Sequence, residues 1–453
     1  MRYYNCVVTP RLNAPERAPG YNFPELTKTT PLGKIPEVAH TYAYIDSDYA
    51  VMNEHGLMFG ECTNNSLWLE NRPVKAGEGL FYSSELARVA LERCRTAREA
   101  VDLMGKLVDT YGLYGTGETL LVADQNEGWV FEMQPIPTGI GGLWVAQRVP
   151  DGEIFVAANQ FRIRDISAQN PDQVFNPALP DKLKDLGWAA YDETTGQLDW
   201  LKSLKAKEDF HPYFALRRVW RAMSLLAPSL QLPAKVEGYE TRAYPFAVKP
   251  DKPLTLDTLI AIHRDAYEGT EFDMTKAPSA GSFACPYRYK SISNERSIAS
   301  AITGYTWISQ VNSALPAPLA WISLNTAREN PFIPLAVAPM PQGYEQVDKN
   351  TYDPTKPWWT YSQVAALSVG YDSSINPEVQ QAAKRLETEG QSLVLASKNQ
   401  TNTQFAETLR KNAAHSEAQW KELYGKLLVK CSQHNKLDYA AGHVPPSEAQ
   451  QAY

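Results

Sequence analysis

Thr119-Leu-Leu-Val-Ala123, Trp129-Val-Phe-Glu-Met133, Leu143-Trp-Val-Ala-Gln147 and Ile154-Phe-Val-Ala-Ala158 are four short runs rich in β-branched and aromatic residues. Turn formers separate them, Asp124-Gln-Asn-Glu-Gly128 and Pro150-Asp-Gly152 among them. Apolar runs of this length, bounded by Gly, Pro, Asn and Asp, predict consecutive antiparallel strands. Upstream, Ser84 caps a helix with Leu86, Val89, Ala90, Leu91 and Cys94 on one side. Thr96 followed by Glu99 is a capping-box pattern for a second helix striped by Val101, Met104, Leu107 and Val108, and Gly112 suits its end. Paired helices leading into a run of strands predict a layered α+β fold.

Further out, Tyr42–Ile45 and Leu57–Phe59 predict a hairpin turned at Asn53-Glu-His-Gly56. Helices are predicted around 213–226 and 254–268. Two more are predicted at the C-terminus, one starting after Asn376 and one through Trp420, Leu423, Tyr424, Leu427, Leu428 and Cys431. Prolines at 10, 15, 19, 24, 31 and 36 give residues 1–40 an extended, loop-like character, and the tail after Gly442 is expected to be loose.

A net charge of −7 with acids and bases interspersed supplies no attraction to nucleic acid or to an anionic membrane. No run of about 18 apolar residues predicts a membrane span, and the start, Met1-Arg-Tyr-Tyr-Asn-Cys6, is not a signal peptide. A soluble globular protein is therefore expected, its compartment unassigned. The five cysteines, at 6, 62, 94, 285 and 431, form no CxxC pair, and Cys94 falls on a core stripe.

Several partial motifs carry no chemistry. Gly115-Thr-Gly117 and Gly139-Ile-Gly-Gly142 lack the third glycine and the lysine of phosphate-cradling loops. His263-Arg264-Asp265 imitates a kinase catalytic loop, but Thr270 stands where its asparagine belongs. The sequence has neither an H-E-x-x-H pair nor a G-x-S-x-G elbow. No metal and no cofactor is assigned.

A longer series of phrases is more informative. His40-Thr-Tyr-Ala-Tyr44 leads into Tyr49-Ala-Val-Met-Asn-Glu-His-Gly-Leu57 and Gly60-Glu61. Ala90-Leu-Glu-Arg93, Thr96-Ala-Arg-Glu-Ala100 and Tyr111-Gly112 follow, then Trp144–Gly152 and Ala158-Asn-Gln-Phe-Arg-Ile163. Arg264-Asp-Ala-Tyr-Glu-Gly-Thr270, Glu295-Arg-Ser-Ile298, Leu315-Pro316 and Trp321 complete it. In this order they resemble the dipeptidase A family of cysteine peptidases, which includes the secernins, from about residue 31 to residue 395. The resemblance implies a four-layer αββα sandwich of the N-terminal-nucleophile hydrolase type. It would occupy 1–375, with C-terminal helices over 376–453.

The resemblance also implies chemistry. A cysteine at the head of the mature chain attacks the scissile carbonyl, and its own α-amine, titrating near pH ~8, serves as base. Asn159 matches the clan's asparagine after an inner strand, whose amide would stabilise the tetrahedral oxyanion by ~3 kcal/mol. Arg296 resembles the clan's later arginine, able to lower a thiol pKa or hold a substrate carboxylate; the bland reading is a surface ion pair with Glu295 or another acid. The implied partner is a dipeptide or small amide, with a homo-oligomer left open.

The chain departs from the family at its start. The Cys-Thr/Ser opening and the following Asp-Gly-Ser do not precede Pro31-Leu-Gly-Lys-Ile-Pro36. Cys6 is followed by Val7, and Cys62-Thr63 is internal, so neither is assigned as nucleophile. The expectation is a dipeptidase truncated at its N-terminus and inactive as written. The alternatives are an amidase acting on acylated amino acids, or an inactive scaffold of the same fold.

Overall fold

A computed structural model describes residues 34–440, except 48, 65, 68–78, 114, 138, 207–212, 277–279, 281–284, 287–294, 345–346 and 348–350; of 434–440 it describes the helical backbone alone. In chain order the strands β1 (Tyr44–Ile45), β2 (Met52–Asn53) and β3 (Met58–Thr63) precede helices α1 (Ser83–Arg93) and α2 (Ala97–Tyr111). Next come β4 (Glu118–Ala123), β5 (Gly128–Pro135), β6 (Gly142–Arg148), β7 (Ile154–Phe155), β8 (Asp165–Ile166) and β9 (Gln173–Phe175). α3 (Leu179–Asp185), β10 (Leu198–Asp199), α4 (Trp200–Leu204), α5 (Tyr213–Leu226), β11 (Ala247–Val248) and α6 (Leu256–His263) fill the middle. Strands β12 (Tyr305–Gln310), β13 (Leu319–Leu324) and β14 (Ile333–Ala336) lead into long helices α7 (Pro357–Ala396) and α8 (Asn402–Ala440). This mixture of helix and antiparallel sheet is an α+β fold.

The larger sheet has the order β1-β2-β3-β4-β5-β6-β9, each neighbouring pair antiparallel. Strand alternation sends Phe59, Leu120, Val122, Trp129, Phe131, Met133, Trp144 and Ala146 to one face, where α1 and α2 bury them. Both halves of the expected capping box start α2 at Thr96 and Glu99, and Gly112 ends it at φ 79°. Contact there is close: a Cβ on Gly105 of α2 would lie 2.4 Å from the Trp144 ring.

The opposite face has two coverings. Beside β5 and β6, Val130, Leu143 and Val145 pack on Phe161, Ile163 and the residues of α3 and α4. Beside β1 and β2, Ile45, Val51 and Met52 meet the smaller sheet, β12-β13-β14. There the Trp307 indole donates to the Phe59 carbonyl (3.1 Å) and the Tyr305 hydroxyl to that of Tyr49 (3.0 Å). Ile375, Val379, Leu386, Trp420 and Leu427 of α7 and α8 share the core of the smaller sheet.

Four local expectations are corrected. Tyr42–Ile45 does not pair with Leu57–Phe59: β2 intervenes, because Val51 and Met52 are themselves buried. The strand expected to reach Ala158 stops at Phe155, since the chain turns towards a left-handed residue at Asn159. The helix expected over 254–268 ends at His263, ahead of a second left-handed residue, Tyr267. The helix expected after Asn376 begins at Pro357 and runs through the expected 375/376 boundary, with a kink at Tyr371 and Pro377 inside it. On α8, Trp420, Leu423, Leu427 and Cys431 are buried as expected, whereas Leu428 is exposed. Cys6, the proline-rich residues 1–33 and the tail lie outside the described residues.

Candidate active site

Asn159 anchors the site. Its φ of 56° is left-handed, a region asparagine enters more readily than most residues. Ala158 is fixed in a cluster with Ala215, Leu216 and Val219 of α5, which carries Asn159 to the end of β3. There its Nδ2 donates to the Thr63 carbonyl (2.6 Å), and its Oδ1 accepts from Arg218 Nη2 (2.7 Å). The Asn159 backbone N–H faces the Cys62 sulfur.

Cys62 lies near the end of β3, opposite Thr119 of β4, itself opposite Glu132 of β5. Alternation puts this row on the face away from α1 and α2. Burial, then the Glu61 charge, push the Cys62 thiol up to about 12, with the Asn159 N–H pulling the other way. A thiol so disfavoured as thiolate is a poor nucleophile. Glu132 accepts from the backbone N–H of Arg162 at 2.6 Å, and burial raises its carboxyl to about 8 against that bond and the neighbouring Arg162 charge. Beside it, the sealed side-chain amide of Gln160 has no hydrogen-bond partner among the described residues.

Arg296 comes to the same place from the far end of the chain. Its guanidinium carbon lies 4.3 Å from the centre of the Phe214 ring, and that of Arg218 lies 5.4 Å from it. The carbonyl of Arg296 accepts from the buried Tyr267 hydroxyl. Tyr267 stands at φ 67°, an uncommon conformation for a bulky residue, and its N–H donates to Asp265. Asp265 in turn pairs with Arg221 of α5 at 2.6 Å. Glu295, one of the acids considered for Arg296, bonds Arg217 of α5 at 2.8 Å.

Asn159 and Arg296 thus meet around Arg218 and Phe214. Both of the latter lie in a segment read from sequence only as a helix. The available signal was Arg217, Arg218 and Arg221, three cations on a helix that buries most of its length. Other candidates have structural duties. Arg264 of the kinase-like triplet pairs with Glu387 at 2.6 Å, and His263 is half-buried, its pKa lowered by desolvation to about 4. Asp165, Asp192 and Asp199 cluster, but Arg164 and Arg242 neutralise them at 2.5 to 3.5 Å.

No helix among the described residues is long and apolar enough to cross a membrane. The chain is 24% identical over 294 residues to a probable dipeptidase B of Lactococcus lactis, covering 62% of this chain and 56% of the relative. It is 27% identical to a probable dipeptidase of Salmonella dublin, with 53% and 55% covered. To a probable dipeptidase B of Streptococcus pyogenes serotype M3 it is 23% identical, with 81% and 72% covered. The chain spans little more than half the length of the first two relatives. A family model matches residues 20–385, and on that match the chain belongs to Peptidase family C69.

Proposed function

We propose that the protein is a dipeptidase that cleaves its amide bond with an N-terminal cysteine thiolate, which none of the described residues supplies. The observation that carries this reading is that Asn159, bonded to the end of β3, also holds Arg218, whose guanidinium shares the Phe214 ring with that of Arg296. Asn159 Nδ2 spends one N–H on the Thr63 carbonyl and keeps a second for an oxyanion. The adjoining guanidinium groups set a positive field in which a tetrahedral anion, or a thiolate brought to the same place, is favoured. The contacts of α1 and α2 with the larger sheet, and of α7 and α8 with the smaller one, support a four-layer αββα sandwich as the scaffold.

The test is release of free amino acids from unsubstituted dipeptides by the full-length gene product. Asn159→Ala is expected to lower kcat about 10²–10³-fold, the usual cost of losing one oxyanion donor. Undiminished turnover in that variant removes Asn159 from the chemistry.

A further inference from the structure

α5 presents three arginines, and they differ in one respect. Arg217 has Glu295 at 2.8 Å and Arg221 has Asp265 at 2.6 Å. Arg218, between them, has no carboxylate partner among the described residues. Its Nε donates to the Phe214 carbonyl, and its Nη2 to that carbonyl and to Asn159 Oδ1. Nη1 makes no hydrogen bond among the described residues and is not one of the sealed polar atoms. The groups around it that could carry a negative charge are Tyr267, Cys62 and Tyr239, none of which is an anion near neutrality. A half-buried guanidinium without a counter-ion is costly to maintain, and the cost is relieved when an anion docks.

We infer that Arg218 is the anchor for the free carboxylate of the substrate, offering the two N–H groups of Nη1 beside the Asn159 amide. The inference deepens the dipeptidase reading and rests on it for the location of the site. It assigns the substrate class as short peptides with an unblocked C-terminus. The three bonds already made by Nε and Nη2 hold the guanidinium in one orientation, so little freedom is lost when a carboxylate arrives. Phe214 beneath it supplies an apolar floor that keeps water from one side of the pair.

The experiment is calorimetric binding of alanyl-alanine and of alanyl-alaninamide to the 453-residue chain. It reads binding and needs no turnover. The free acid is expected to bind about 10-fold or more tightly than the amide, the scale of one charge-assisted hydrogen bond. Arg218→Gln, and Arg218→Met with its stem still against Phe214, are expected to weaken the acid alone and bring the ratio near one. Equal binding of acid and amide by the unaltered chain, or no binding of the acid, overturns the inference. So does an Arg218 variant that weakens both ligands equally, because Arg218 then only orients Asn159. Carboxylate preference without hydrolysis by the full-length product keeps the anchor and removes the dipeptidase reading. Hydrolysis indifferent to C-terminal amidation does the reverse.

Discussion

The two faces of the larger sheet are built on opposite principles. Under α1 and α2 lies a largely apolar layer, packed so that a Cβ on Gly105 would lie 2.4 Å from the Trp144 ring; the indole N–H groups of Trp129 and Trp144 are its sealed polar atoms without a partner among the described residues. On the other face, the row Cys62, Thr119 and Glu132 meets Asn159, Gln160 and Arg162, with polar atoms sealed in and incompletely bonded. One sheet, with the same backbone ladder, serves both. The difference teaches where the molecule keeps its apolar packing and where it buries ionisable side chains, the Cys62 thiol and the Glu132 carboxyl among them. Buried polar groups left short of partners cost about 1–3 kcal/mol each, and the helix-covered face supplies the margin that makes them tolerable.

Three substitutions sharpen that contrast. The largest effect is expected from Phe131→Ala on the helix-covered face, a loss of about 3–5 kcal/mol in urea denaturation. A loss below about 1 kcal/mol would show that the apolar face is not the stabilising one. Gly105→Ala should cost about 1–2 kcal/mol, because the methyl group collides with Trp144 by more than the improved helix propensity of about 1 kcal/mol recovers. A rise in melting temperature would contradict the close packing.

The change most informative in sign is Glu132→Gln on the opposite face. Glu132 has a folded pKa raised to about 8 by burial, above its ordinary value of 4.5. Folding therefore favours the protonated acid: its contribution is full below about pH 4.5 and is lost as the pH rises towards 8. The amide cannot ionise and still offers an oxygen to the Arg162 N–H. The variant should therefore lose that part of the decline and be the more stable protein at pH 8. Parallel stability–pH curves for the two proteins would place Glu132 in a more solvated setting than the structure gives it.

Much of this was legible in the sequence, and the reasons for the rest are physical. Alternation and turn residues define β4, β5 and β6 because they are local signals, and Thr96 with Glu99 fixes the start of α2 for the same reason. The start of α7 was not legible. Prolines stand at both 357 and 377, and a proline suits a first helical turn equally well at either. Only packing against the smaller sheet selects the earlier one. Of the residues proposed for the site, Asn159 and Arg296 came from the resemblance. Arg218 was not, because its meaning lies in an absent counter-ion, and a missing neighbour leaves no trace in spacing.

The chain of contacts from Arg221 through Asp265 and Tyr267 to the Arg296 carbonyl has a mechanical consequence. Arg218 sits three residues before Arg221 on the same helix, so the two guanidinium groups on the Phe214 ring are referenced to a single rod. If α5 shifts, the two guanidinium groups travel together and the gap between them is conserved. The pair would then be moved by tilting one helix, as a caliper mounted on one rail moves without changing its opening.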